Sequence, residues 1–461
     1  MAGSRALQNF KFQISNFKAL FANVSLASVP LTARWRFQIS NFKFPIANGK
    51  SGPAILRDGN RPFNGPPPAV LRRFQISNFK SRFASLLLAT LLVSPLPGFA
   101  QSPPQPYAVI PRDAVNYLGP GRDASYDLAG SEIKIGFLAP LSGPHQDEGK
   151  ALLLAAQLAI EDESRSLLPG GRRLSIVPRD ENGPWGRASN EIVQFVYADR
   201  TVAIITSLAG GSAHLAEQVG NKVGIPIVTL SADPTTTQIN LPWIFRLGST
   251  DTQQARVFAR DIYVTHKLKQ VLLITENDHD GRIGGEEFQK AARALNAPPV
   301  IQLAVEPADS NSDSVVSQIM TQQPEALVFW TGRELAARLV LSFRRAFPKA
   351  PVYLCHEAAQ AKLDRDQANV WIVTPRLSGS LVRETFDKRY RARADIPPTP
   401  AAAQAYDAVR ILAAALRRSG PNRARLRDAL TALASYSGAS GIISFDHAGN
   451  DLSDVTLVRL R

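Results

Sequence analysis

From Glu132 onward the chain alternates short apolar runs with helix-like segments, and this alternation restricts its fold more than any other feature. Ile133–Ala139, Leu174–Val177, Val202–Ile205 and Ile227–Leu230 read as strands, separated by helices over Gly149–Asp162, Ala188–Ala198 and His214–Val223. The series then restarts with a helix over Thr252–His266. Strands follow at Val271–Ile274, Val300–Val305, Ala326–Phe329, Val352–Leu354 and Val370–Val373, with helices over Gly284–Leu295, Asp313–Thr321 and Arg333–Phe347. Short apolar runs between helices belong to parallel sheets covered on both faces. Two successive series predict an α/β fold of two doubly wound parallel-sheet lobes. An Ala-rich helix over Thr399–Ser419 stops at Gly420-Pro421, and a further helix covers Arg423–Leu433. Strands at Gly441–Phe445 and Val455–Val458 flank the turn Asp446–Asn450. A chain that returns to the first lobe with helices and to the second with strands accounts for this tail without a third domain.

The formal charge of +14 suggests a nucleic-acid partner until it is located. Residues 1–100 hold 13 basic side chains and one acidic one, so the remainder is nearly neutral and lacks the clustered positive charge that phosphate binding needs. Residues 1–71 carry the string FQISNFK at Phe12–Lys18 and Phe37–Lys43, with a third copy at Phe74–Lys80. The spacing is unequal, and no regular unit is present that could stack on its neighbour. This segment is expected to be a disordered basic leader or the product of a start assigned too far upstream, with an interaction arm as the alternative. Residues 72–100 have the pattern of a signal peptide: basic Arg72, Arg73, Lys80 and Arg82, the apolar run Phe83–Val93, and small residues before a cleavage at Gln101. No cysteine follows the run, so no lipoprotein anchor is expected. Residues 101–130 read as an extended linker, and no stretch offers the roughly 20 apolar residues of a membrane span. The one cysteine, Cys355, excludes an internal disulfide and any cysteine-rich metal site.

The body resembles the periplasmic leucine/isoleucine/valine-binding protein family, on an ordered series of motifs. Ile133–Pro144 matches the opening strand and ligand loop, and Gly149 with Ala159-Ile160-Glu161 the next helix. Ala203–Leu208 with Gly210-Gly211-Ser212, and Gly224–Ile227 with Ser231–Pro234, match the second and third ligand loops. Phe245-Arg246 and Asp251 with Gln253–Ala255 match the first crossover. Tyr406-Asp407-Ala408, Ser437-Gly438, Gly441 and Phe445-Asp446 match the ending. The resemblance implies a type I periplasmic-binding fold with a three-strand hinge. Lobe one would comprise residues 131–248 and 378–438, and lobe two residues 249–377 and 439–461. It also implies a monomer in the periplasm that closes on a small-molecule ligand, an amino acid or related amine or amide, and hands it to an ABC permease in the inner membrane. A periplasmic sensor of the same fold without a transport role is the alternative.

Ligands of doubly wound sheets sit beyond the carboxyl ends of the strands. Here these are the loops 141–149, 207–212, 231–237, 278–284, 330–332 and 356–358. Amino-acid-binding members hold the ligand's carboxylate with hydroxyls and backbone amides and its ammonium with an acid, and Glu357 stands where that acid would stand. Gly210 stands in the place of the family's carboxylate-binding serine and Ala232 in that of the threonine, with Ser212 and Ser231 close by. Glu148 and Asp280 replace aromatics that stack on the ligand. These departures point away from branched-chain amino acids, toward a cationic or polyhydroxylated ligand. The candidate ligand-binding set is Glu357, Ser142, Glu148, Gly210, Gly211, Ser212, Ser231, Ala232, Asp280 and Trp330. Bland readings stand beside these: Glu148 as a solvated residue at a helix entrance, Gly210-Gly211 as a tight turn whose amides also suit an anion, and Trp330 as core. Asp278-His279-Asp280 has metal-ligand residue types but reads first as a polar turn. No catalytic residue, metal ligand or cofactor is assigned. Gly210-Gly211-Ser212-Ala213-His214 is not a nucleophile elbow, and no H-E-x-x-H, phosphate loop or G-x-G-x-x-G occurs.

Overall fold

The computed structural model describes residues 131–460, apart from 184–186, 238–242, 307–311, 362, 364–368 and 376–379. The expected leader, signal peptide and linker lie outside the described residues.

The first sheet is parallel throughout, in the order β2-β1-β3-β4-β5. Its strands are β1 (Glu132–Ala139), β2 (Arg173–Asp180), β3 (Ala203–Thr206), β4 (Ile227–Thr229) and β5 (Ile244–Arg246). β1 is an interior strand, buried on both faces from Ile135 on, with Ile133, Ile135, Phe137, Leu138 and Ala139 inaccessible to solvent. This is why it reads as a continuous apolar run rather than an alternation. Gly136 is required there, because a Cβ would lie 2.8 Å from the ring of Phe195. Helices α1 (Gln146–Glu163), α2 (Arg187–Tyr197) and α3 (Gly210–Val223) follow β1, β2 and β3.

The second sheet runs β13-β10-β9-β8-β6-β7, parallel except for the antiparallel pairing of β13 on β10. Its strands are β6 (Val271–Glu276), β7 (Ile301–Val305), β8 (Ala326–Trp330), β9 (Val352–Leu354), β10 (Val370–Pro375) and β13 (Val455–Arg459). Helix α4 (Asp251–Ala259) enters this lobe through a capping box between Thr250 and Gln253, and continues as a π-helical turn over Arg260–Thr265. Helices α5 (His279–Ala294), α6 (Ser312–Gln322) and α7 (Arg333–Ala346) connect the strands. α5 begins at His279, five residues before the expected Gly284. The Asp278 side chain accepts from the Gly281 amide and caps the helix, so the expected polar turn is the first turn of a helix.

After β10 the chain returns to the first core with α8 (Leu381–Ala394), α9 (Pro400–Ser419) and α10 (Arg423–Thr431). α8 and β5 were not anticipated, whereas α9 is fixed by strong local signals. Thr399 accepts from the Ala402 amide, Pro400 opens the helix and Gly420 ends it at a φ of 66°. α1 and α9 pack through alanines with no exposed surface, which brings the two helices close together. A short hairpin of β11 (Tyr436–Ser437) and β12 (Ile442–Ile443) follows. The second lobe was expected from residue 439, but Ala439, Ile443 and Phe445 are in the first core, and the chain joins the second sheet only at β13. Beside the crossing after β5, the Arg246 amide donates to Gly449 O and the Asp451 amide to Arg246 O, tying two connecting segments together.

Candidate functional site

Every strand that feeds the cleft ends with its carboxyl edge toward the other lobe, so loops from both lobes meet. Residues 140–145 lead from β1 to α1, 207–209 from β3 to α3, and 230–233 leave β4. Opposite them, Asn277-Asp278 lead into α5, Thr331-Gly332 into α7, and Cys355-His356-Glu357 leave β9. A small cavity of about 20 Å³ lies among Leu208, Ala232, Asp233 and Asp251 on one side and Asp278, Asp280, Trp330, Thr331, Gly332, Cys355, His356 and Glu357 on the other.

The chemistry of this place is acidic. Burial pushes Glu148, Asp251 and Asp280 each up to about 7, and Glu357 well above the usual carboxylate range. Neighbouring carboxylates reinforce the effect: Glu181 and Asp280 act on Glu148, and Glu148, Asp280, Asp278 and Glu276 act on Glu357. Burial also raises Glu181 and Glu276, against hydrogen bonds from Ser207 and Ser212 in the first case and from the Gly332 amide at 2.5 Å in the second. The basic groups acting on these acids are Arg333 on Glu148, Arg338 on Glu276, Arg246 on Asp251 and His279 on Asp280. Glu148 is 7% exposed, its Oε2 has no hydrogen-bond partner, and ligand atoms of His145, Glu148 and Glu357 lie within 4.8 Å of one another. Packing several carboxyls together in a buried place favours their protonated forms.

Besides the ion pair of Arg333 with Asp147 at 3.9 Å, two hydrogen-bonded contacts bind the lobes to each other here. The Gly210 amide, at the N-terminus of α3, donates to both oxygens of Asp280 at 3.1 Å. His279 Nε2 lies 2.8 Å from Asp233 Oδ2, and His214 Nε2 lies 3.1 Å from the same oxygen.

Among the residues singled out from sequence, Ala232, Asp280, Trp330 and Glu357 line the cavity. Glu148 is buried rather than solvated at the helix entrance, although residues 142–147 before it are exposed, and its carboxylate faces that of Glu357. Gly210 gives its amide to Asp280. Trp330 is both core and wall: its ring packs 5.7 Å from that of Phe258 and 5.8 Å from that of Phe288, and its Nε1 donates to Asp251 Oδ1 at 2.9 Å. Glu148 and Gly210 are not among the cavity's lining residues, and four more candidates also lie off it. Ser142 is exposed and donates to Asp180 Oδ2 at 2.5 Å. Gly211 is exposed with open space around it. Ser212 hydrogen-bonds Glu181, and Ser231 is buried with its Oγ accepting from the Asp233 amide. Sequence reasoning missed Asp233, Asp251, Glu181 and Glu276. Asp251 lay inside a quoted crossover motif, and Glu276 closes a strand beside Asp278; position at a strand's carboxyl end was the signal available for it.

Comparison with known proteins agrees with this geometry. The family model described as periplasmic binding protein matches residues 132–460. The Leu/Ile/Val-binding protein BraC3 of Rhizobium johnstonii is 24% identical over 206 residues, 44% of this chain and 55% of that protein. An amino acid binding protein of Pseudomonas aeruginosa is 23% identical over 215 residues, 46% of this chain and 58% of that one. The matches thus span about half the length of these curated relatives. Among solved structures, the leucine binding protein LivK of Thermotoga maritima superposes with a TM-score of 0.64 at 20% identity, over 70% of this chain and 94% of that one. A solute binding protein of R. palustris, solved with benzoate, gives a TM-score of 0.63 at 21% identity over 71% and 92%. The latter two likenesses concern the fold. Two parallel-sheet lobes meeting at a cleft, and a family match that runs the length of the described body, establish that the chain belongs to the periplasmic binding protein family, whose members are substrate-binding proteins rather than enzymes.

Proposed function

We propose that this protein captures a small amine, positively charged and without a free carboxylate, between its two lobes and delivers it to an ABC permease. The observation that carries this reading is the occupation of the Gly210 amide by the protein's own Asp280. In amino-acid-binding relatives, as the sequence resemblance implies, that region receives the ligand's carboxylate. Here the receptor hydroxyls are absent at Gly210 and Ala232, and an internal carboxylate sits on the amide instead. What remains unmatched is negative: Glu148, Glu357 and their neighbours outnumber the cations beside them. An ammonium group placed between Glu148 and Glu357 would restore their ionised forms and gain charge-assisted hydrogen bonds. The lobes would open about the crossings near Arg246 and Asn450 to admit it.

A thermal-shift screen of the purified protein against amines, amino acids, amides and sugars tests this. Stabilisation by amines, with α-amino acids weaker, is the expected result. Stabilisation by neutral sugars or by branched-chain amino acids alone would overturn it.

A further inference from the structure

A second cluster stands at the cleft's edge; it shares Asp233 with the cavity's lining but does not rest on the amine reading. His214 on α3, Asp233 in the loop after β4 and His279 at the start of α5 each turn one donor atom to a common point. His214 and Asp233 belong to the first sheet's lobe and His279 to the second. We propose that these three side chains form a site for a divalent transition metal ion of the zinc class, which clamps the lobes together.

The geometry has the features such a site needs. Both imidazoles place Nε2 beside one oxygen, Asp233 Oδ2, at 3.1 and 2.8 Å, and His214 Nε2 also lies 2.9 Å from the Thr235 hydroxyl, which a metal ion would displace as its partner. Ligands about 2.0–2.1 Å from a tetrahedral zinc ion lie roughly 3.3 Å apart, so these distances require little adjustment. The other oxygen of Asp233 is committed, accepting from the Thr235 amide at 2.8 Å and the Thr235 hydroxyl at 2.7 Å, which fixes the carboxylate's orientation. The other nitrogen of His214, Nδ1, lies 3.1 Å from the carboxylate of buried Glu217. A carboxylate behind a histidine in this way fixes the tautomer and raises ligand basicity at metal sites. Asp233 is 1% exposed while both imidazoles are partly exposed, so an ion can enter from the solvent side and water can complete its shell. Two imidazoles and one carboxylate suit zinc and its first-row neighbours rather than calcium or magnesium. The ligands come from both lobes, so metal binding and closure share one coupling free energy, and each strengthens the other.

The test uses the untagged full chain, stripped with chelator and titrated calorimetrically with zinc alone, alongside cobalt(II) absorption and small-angle scattering. The expected result is one saturable zinc ion per chain, a tetrahedral cobalt spectrum and a more compact particle with metal. His279→Gln, a change at a partly exposed residue, and His214→Gln should each weaken zinc at least tenfold, and Glu217→Gln should weaken it less. Glu357→Gln should leave zinc binding unchanged. Absence of saturable binding, binding unaltered in both histidine variants, or binding lost in Glu357→Gln but kept in His279→Gln would each overturn the proposal. The last outcome would place the ion among the cleft carboxylates instead. Should both histidine variants fail to fold, the parent's cobalt spectrum decides: an octahedral or absent signal would contradict the site.

Discussion

Asp280, at the start of α5 in one lobe, accepts through both carboxylate oxygens from the backbone amide of Gly210, at the start of α3 in the other. A helix N-terminus is an anion receptor by virtue of its unpaired amides and its dipole. Here the protein supplies the anion itself. A Cβ on residue 210 would lie 2.3 Å from Asp280 Oδ1, so only glycine admits the contact in this form. Asp280→Ala should expose the amide, and free α-amino acids should then bind at least tenfold more tightly to the variant than to the parent by calorimetry. No gain would mean that the amide is not what excludes them.

The pH dependence has a definite sign. Burial raises Glu148 from 4.5 to about 7. Between these values the folded protein holds a proton that the unfolded chain has released. The associated stability is therefore fully present below 4.5 and is lost as pH rises through about 7. Melting of the ligand-free protein between about pH 5 and pH 8 should show this fall, and Glu148→Gln should make it shallower, the part due to Asp251, Asp280 and Glu357 remaining. Amine affinity should change in the opposite sense, rising over the same range as the carboxylates ionise. A parent and variant with parallel pH profiles would contradict the assignment.

Trp330 joins the second core to the cleft. Trp330→Ala should cost about 3–5 kcal/mol in urea unfolding, the range for deleting a buried aromatic, and would also leave Asp251 without its indole donor. Gly284→Ala should damage the same place from the other side, since its Cβ would lie 1.8 Å from Trp330 Cδ1. A loss below about 1 kcal/mol in both would mean that the indole is not packed as described.

The layered architecture was legible because most buried strands are short apolar runs and some helices carry strong caps, as at Thr399 and Gly420. The terminal motifs were legible for a reason that only the contacts reveal. Asp407 accepts from the amides of Ala439 and Ser440 at 2.8 and 2.6 Å and from the Ser440 hydroxyl, and a Cβ at Gly438 would lie 2.4 Å from its carboxylate. Strand β5 has three residues and α8 has a highly charged sequence, so neither presents a strong periodic signal. Charge depends on partners brought from afar: nothing local says that the Glu148 carboxylate faces that of Glu357, or that His214 and His279, 65 positions apart, share one carboxylate oxygen. Ser142 and Ser231 show the converse, since their hydroxyls serve structure rather than the cleft: Ser231 its own loop and Ser142 the end of β2 at Asp180.

The most direct test of the amine reading is calorimetry with the amine that gives the largest thermal shift, on the parent, Glu357→Gln and Glu148→Gln. Removing one partner of a buried charged hydrogen-bonded pair costs on the order of 2–5 kcal/mol. Both variants should therefore bind at least tenfold more weakly, about 1.4 kcal/mol or more, with circular dichroism and melting showing an intact fold. Folded variants that bind the amine with the parent's affinity would contradict the account.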